Sequence, residues 1–210
     1  MENPNANVSL RSRLIQAALD CFLADDYHKV STRRIAECAS ANVSMIRYYF
    51  SSKEGLYEEM IRETLSPLLD VLDGPLLAST GGFADFLGLY YRTMSARPEF
   101  PKLILKVLAL RHGPGRRFIQ QLLERGRTRG AGKVAELKSR GQIAPATDPD
   151  ILRLAFVSLA MTPMLLKDIF EEQMERPMDE AFLNNLASFN GHLFAAGLAT
   201  AVPGTEGDKP

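Results

Sequence analysis

Apolar residues recur three and four apart along most of the chain, and no stretch alternates in the two-residue rhythm of a half-buried strand. Leu10, Leu14, Ala17, Ala18, Cys21 and Phe22 form the first such stripe and predict a helix over about Ser9 to Ala24. The polar run Asp25-Asp26-Tyr27-His28 ends it. Ser31 reads as the N-cap of a second helix carrying Ile35, Ala36 and Ala39, and Asn42 as the N-cap of a third. A fourth helix starts near Ser52-Lys53-Glu54 and carries Leu56, Tyr57, Met60, Ile61 and Leu65 towards Pro67, where it should bend or break. Gly74-Pro75 and Gly81-Gly82 bracket a loop.

The same periodicity continues beyond that loop. It predicts helices over Phe83 to Ala96, Phe100 to Arg111, and about Arg116 to Arg140 with interruptions at Gly126, Gly130 and Gly132. Two more follow, Asp150–Glu175 and Met178 to Leu198. His112-Gly113-Pro114-Gly115 and Pro145 to Pro149 are the breaks between them. The last residues, 201–210, have loop composition and are expected to be disordered. The reading is an all-α chain of about nine helices.

Residues 31–56 stand out within it as two short helices joined by a tight turn. After the turn, Ala41, Ile46, Tyr49 and Phe50 are assigned inward, which leaves Ser44, Met45, Arg47 and Tyr48 facing out. A helix face with one cation, one phenol and small contact residues suits the major groove of DNA, so the segment reads as a helix-turn-helix. Charge supports this only locally. The whole chain carries 25 basic and 25 acidic residues, whereas residues 9–53 carry seven Lys/Arg against four Asp/Glu. A small local surplus fits a sequence-specific binder better than a nonspecific coat.

With the motif in view, a family resemblance becomes specific. Residues 9–57 resemble the DNA-binding domain of the TetR (tetracycline-repressor-like) regulators. The matching positions are Ile35-Ala36, the turn Ala39-Ser40-Ala41-Asn42, Tyr48-Tyr49-Phe50 and Ser52-Lys53-Glu54-Gly55-Leu56, without gaps. Ser40 stands where that family usually has Gly, which predicts a non-glycine residue at positive φ, and Arg47 stands where Tyr is frequent. The resemblance implies that Ser31, Thr32 and Arg33 face phosphate and that Val43, Ser44 and Met45 approach base edges beside the cap Asn42. It implies further that Arg47 and Tyr48 reach the backbone or a guanine, and that Lys53 clamps a phosphate.

The implied organisation is a three-helix DNA-binding domain at 1–56, a helical ligand-binding and dimerisation domain at 57–200, and a tail at 201–210. The implied function is a ligand-responsive regulator, most simply a repressor, bound as a homodimer to a palindromic operator and released by an unidentified small-molecule inducer. Ile151, Leu154, Ala155, Ser158, Leu159, Thr162, Leu165 and Leu166, with Phe182, Leu186, Phe189, Leu193 and Phe194, are the candidate dimer faces of the last two helices. Phe86, Tyr90, Met94, Leu103, Val107, Phe118, Leu122, Phe156 and Met161 are the candidate pocket lining, with ordinary core packing as the competing reading. The Arg/Lys-rich stretch from Arg116 to Arg140 reads as a solvated face.

Other functions find less support. Gly126 to Lys133 superficially resembles a phosphate loop, but Arg127 occupies the first glycine position and Val134 the Ser/Thr position. There is no GxSxG or HExxH, so no enzyme is expected; nor is a metal or cofactor, since two cysteines and three scattered histidines lack metal spacing. Cys21 and Cys38 are redox candidates only if spatially paired and otherwise small core residues. The polar N-terminus lacks a signal-peptide core, and the longest apolar run, Leu154 to Leu166, contains Pro163 and is too short to span a bilayer. The expected setting is therefore cytoplasmic. The alternative from another class is a helical small-molecule-binding protein or enzyme that keeps the fold without specific DNA binding.

Overall fold

The computed structural model describes residues 9–73, 82–110 and 115–199. The loop expected around Gly74–Gly81, most of the break at His112–Gly115 and the tail at 201–210 lie outside them. The described residues form ten α-helices and no strand: α1 Leu10–Ala24, α2 Thr32–Cys38, α3 Ser44–Phe50, α4 Lys53–Asp73, α5 Gly82–Ser95, α6 Glu99–Ala109, α7 Arg116–Ser139, α8 Pro149–Leu165, α9 Lys167–Met174 and α10 Glu180–Ala199. The chain divides into two compact units, Met1–Pro67 with Pro98–Leu122, and Leu68–Arg97 with Leu123–Pro210.

In the first unit the apolar stripes of α1 to α4 meet. Leu14, Ala18, Phe22, Ile35, Ile46, Leu56, Tyr57, Met60 and Ile61 are buried, and Phe100, Leu103, Ile104 and Val107 of α6 join that unit's core. Phe22 and Tyr57 meet edge to face at 4.6 Å, and Tyr27 packs on Tyr57 at 4.9 Å. Arg11 ties α1 to α4 through Glu59 and Glu63, each at 2.6 Å. Lys106 of α6 donates to the carbonyl of Asp25, just past the end of α1.

The second unit is centred on α5 against α10. A Cβ on Gly191 would lie 2.6 Å from Ala84 Cβ, so only glycine allows these backbones to come so close. Phe83, Val134, Leu137, Ile143 and Phe194 form a buried cluster, with Leu152, Phe156 and Leu159 packed against it.

Three expectations are corrected. The expected helix Asp150–Glu175 is two helices, α8 and α9, meeting at 69° after Leu166 leaves helical geometry (φ −108°, ψ 19°), three residues beyond Pro163. This makes ten helices rather than about nine among the described residues. The long basic helix is not interrupted: α7 runs through Gly126, Gly130 and Gly132, each open to space within 4 Å. Glycine there weakens a helix without stopping it. Finally, of the bend or break expected at Pro67, the break is absent: α4 continues to Asp73. A proline cannot bond the carbonyl four residues back, here Glu63, and the Ser66 hydroxyl donates to that carbonyl at 3.0 Å instead.

Candidate nucleic-acid interface

The turn between α2 and α3 is built by local polar bonds. Ser31 Oγ accepts from the Arg34 amide at 3.1 Å and caps α2. At the other end, Ser40 sits at φ 49°, the left-handed value its place in the motif predicts. The Ala41 amide donates to the Ala36 carbonyl at 2.9 Å and closes the turn. Asn42 Oδ1 then accepts from the Ser44 amide at 2.9 Å and the Ser44 hydroxyl at 2.8 Å, so it caps the entry to α3 although regular helix begins at Ser44. Past α3, Ser52 Oγ accepts from the Gly55 amide at 3.0 Å. A Cβ on Gly55 would stand 2.1 Å from the Phe50 carbonyl oxygen, which explains glycine in the first turn of α4.

This framework fixes the rotation of α3. Ile46 and Phe50, four residues apart, are buried. Asn42, Val43, Ser44, Arg47 and Tyr48 are exposed, Tyr48 at 77%, and Met45 is half-buried. Arg47 makes no ion pair among the described residues, so its charge is available. Ser31 and Arg33 are exposed and Thr32 is half-buried at the start of α2, with Arg33 bonded to Glu37 at 2.9 Å.

Two side chains sit differently from the sequence reading. The apolar pattern places Tyr49 in the core, yet it is 39% exposed and packs edge to face on Tyr48 at 4.9 Å. It lies three residues from Ile46 and one from Phe50, at the edge of the buried stripe, where one helical step decides its side. Tyr49 thus joins the outer face, a residue the pattern missed. Lys53 is turned inward: its ammonium donates to the Tyr27 carbonyl and lies 4.3 Å from the centre of the Tyr27 ring. Burial lowers its pKa from the ordinary lysine value. Any phosphate contact would compete with those partners.

The nominated pocket residues fall in both units. Leu103, Val107, Phe118 and Leu122 belong to the first, and Phe86, Tyr90, Met94, Phe156 and Met161 to the second. Within the second, Phe86 stacks on Tyr90 at 6.5 Å and meets Phe156 at 5.2 Å. Burial pushes the Tyr90 phenol well above its ordinary range. Among the described residues no group of three or more His, Cys, Asp and Glu is arranged to hold a metal ion.

The short α2, strained turn and α3 with an exposed polar face define a helix-turn-helix protein. Residues 14–60 match the family described as bacterial regulatory proteins, tetR family. Over this segment, the chain is similar to that family. It is 32% identical over 97 residues to the HTH-type transcriptional regulator RutR of Escherichia coli, covering 46% of this chain and 40% of RutR. The match thus spans about two-fifths of that relative's length. Among solved structures, SCO4942 from Streptomyces coelicolor matches with a TM-score of 0.69 at 22% identity, over 88% of this chain and 98% of that one. The transcriptional regulator FadR from Bacillus subtilis, solved in complex with stearoyl-CoA, matches with a TM-score of 0.68 at 17% identity, over 88% and 97%. At those identities the structural likenesses establish the all-helical fold.

Proposed function

We propose that this protein is a cytoplasmic DNA-binding transcriptional regulator, acting as a homodimeric repressor on a two-fold-symmetric operator and released by a small-molecule effector. The observation that carries the reading is the face of α3, where Val43, Ser44, Arg47 and Tyr48 are exposed above the buried pair Ile46 and Phe50. On this reading α3 enters the major groove with its N-terminal residues at base edges, and Ser31, Thr32 and Arg33 contact phosphate. The dimer is supported by bare apolar side chains on α8 and α10: Ile151 is 69% exposed, Leu154 66%, Phe189 66% and Leu193 55%. Phe194 and Leu159, first placed on those faces, pack in the intramolecular cluster and are left out of the interface. The stearoyl-CoA complex of a protein with the same fold supports an effector site, and the aromatic group Phe86, Tyr90 and Phe156 is its proposed centre. Among the described residues no single helix is long and apolar enough to cross a membrane.

The test is selection of duplexes from a random pool by the purified protein near physiological salt, followed by the same measurement on Arg47→Ala. An enriched inverted repeat is expected. Arg47→Ala should weaken binding by roughly 1–3 kcal/mol with relaxed preference at one base pair if it reads a base. If it holds only phosphate, affinity should fall evenly across sequences and the salt slope by about one. A folded protein that enriches no sequence would overturn the proposal.

A further inference from the structure

The chain has two cysteines, and the fold brings them together. Cys21 lies in the last turn of α1 and Cys38 is the final residue of α2; Cys21 Sγ donates to Cys38 Sγ at 3.8 Å. Cys21 is buried and Cys38 is exposed. An accessible sulfur with a second one directly behind it is the arrangement of a reacting thiol and its resolving partner. Burial, then the contact with Cys38, pushes the Cys21 thiol up to about 11, so Cys21 stays a protonated donor and Cys38 is the sulfur an oxidant meets. The charged groups around the pair are Arg34, which lies one turn before Cys38 and is bonded to Asp25, and Asp20 beside Cys21.

We propose that Cys21 and Cys38 form a reversible oxidation site, closed to an intramolecular disulfide by a hydroperoxide, and that closure weakens DNA binding by displacing the end of α2. The first half stands on the sulfur geometry, whereas the second rests on the DNA-binding function proposed above.

The chemistry balances with the peroxide as oxidant. Cys38, after losing its proton to solvent, attacks the peroxide oxygen; the O–O bond breaks, leaving Cys38 as a sulfenic acid and releasing hydroxide, which takes up a proton as water. Cys21 then attacks the Cys38 sulfur. The S–S bond forms, the S–O bond breaks, and the departing hydroxide leaves with the Cys21 proton as a second water. Two thiols lose two electrons and one hydrogen peroxide gains them.

Closure requires the sulfurs to move from 3.8 Å to a bond of about 2.05 Å. Cys21 is flanked in α1 by the buried Ala18 and Phe22 and has little freedom. Cys38 leads directly into the turn, where the Ser40 amide donates to Glu37 at 3.0 Å and the Ala41 amide to Ala36 at 2.9 Å. A pull on Cys38 therefore acts on the turn that sets Asn42 and the start of α3. In reducing compartments, disulfides that form are usually transient and sensing, and the exposed Cys38 leaves one sulfur of this bond open to a reductant.

The test treats the full-length protein with a small excess of hydrogen peroxide and reads intact mass and a non-reducing denaturing gel. The expected product is lighter by about 2 Da, runs as a single chain, has lost both maleimide-reactive thiols and recovers them with dithiothreitol. Cys21→Ser should stop at the sulfenic acid, trapped on Cys38 by dimedone, and Cys38→Ser should show no mass loss. Oxygen added to Cys38 of the unsubstituted protein without linkage, or a disulfide between two chains, would overturn the site. The DNA arm uses a duplex selected by the reduced protein: oxidation should weaken its binding at least tenfold, reversibly, and leave Cys38→Ser unaffected. Linkage with unchanged affinity overturns the second half alone. Failure to select any duplex overturns the second half together with the DNA-binding proposal, and the mass result still decides the first.

Discussion

Ser40 holds φ 49° in the turn before α3, a conformation that costs a side-chain-bearing residue about 1–2 kcal/mol. Glycine would remove that strain but would add about 0.5–1 kcal/mol of conformational freedom to the unfolded chain. The strain term is larger, so Ser40→Gly should stabilise the protein by about 0.5–1 kcal/mol in urea denaturation, and unchanged stability would mean that the turn is not strained. A second residue-level effect concerns pH. Burial raises Tyr57 from 10.0 to about 12, and Tyr27 and Tyr91 are raised for the same first cause. The folded state thus favours the neutral phenols, and their contribution is intact below pH 10. Between about pH 10 and 12 the unfolded chain ionises Tyr57 and the folded chain does not, so stability should fall by up to about 1.4 kcal/mol per pH unit for this group. Tyr57→Phe should flatten that part of the curve, and an unaltered alkaline slope would remove Tyr57 from it. The caps Ser31 and Asn42 and the Ser40 conformation were legible in the sequence because each is set within a few residues. The inward turn of Lys53 was not, because its partner Tyr27 lies 26 residues away.

At the scale of single helices, periodicity located the elements but not the effect of prolines inside them. Pro163 leaves the Leu159 carbonyl without its usual helical donor, and Tyr91 Oη donates to that carbonyl at 2.7 Å. The buried Asn190 Nδ2 in turn donates to Tyr91 Oη at 3.0 Å. One phenol thereby repairs α8 from α5 and secures α10. Nothing in the local pattern of α8 shows that its missing bond is supplied from 68 residues away. Tyr91→Phe should cost about 2–3 kcal/mol, because a carbonyl and a buried amide lose their partner together. Pro163→Ala restores an amide that can bond Leu159 within the helix. The double variant should therefore be less destabilised than the two single changes added, by roughly 1 kcal/mol in chemical denaturation. Simple additivity would show that Tyr91 does not act through the proline gap.

For the molecule as a whole, the open question in the sequence was which apolar face of each late helix turns inward. Periodicity marks α8 and α10 as apolar on more than one side and cannot rank the sides. The structure sends Phe156, Leu159 and Phe194 to the cluster around Phe83 and leaves Ile151, Leu154, Phe189 and Leu193 bare. If the bare face joins two copies, each dimer carries two α3 helices, and the second half-site is engaged at the high effective concentration set by the first. Leu154→Asp with Phe189→Asp places charges on that face at positions already exposed, so each chain should keep its helical content while sedimenting as a monomer. Its affinity for the full inverted repeat should drop by about 10²–10⁴, the factor that linked sites supply, whereas its affinity for an isolated half-site should stay that of the unsubstituted protein. The half-site measurement separates loss of the partner from damage to α3. Full-site binding that survives in a demonstrated monomer would show that one copy reads the whole sequence, and would leave the apolar face to some other partner.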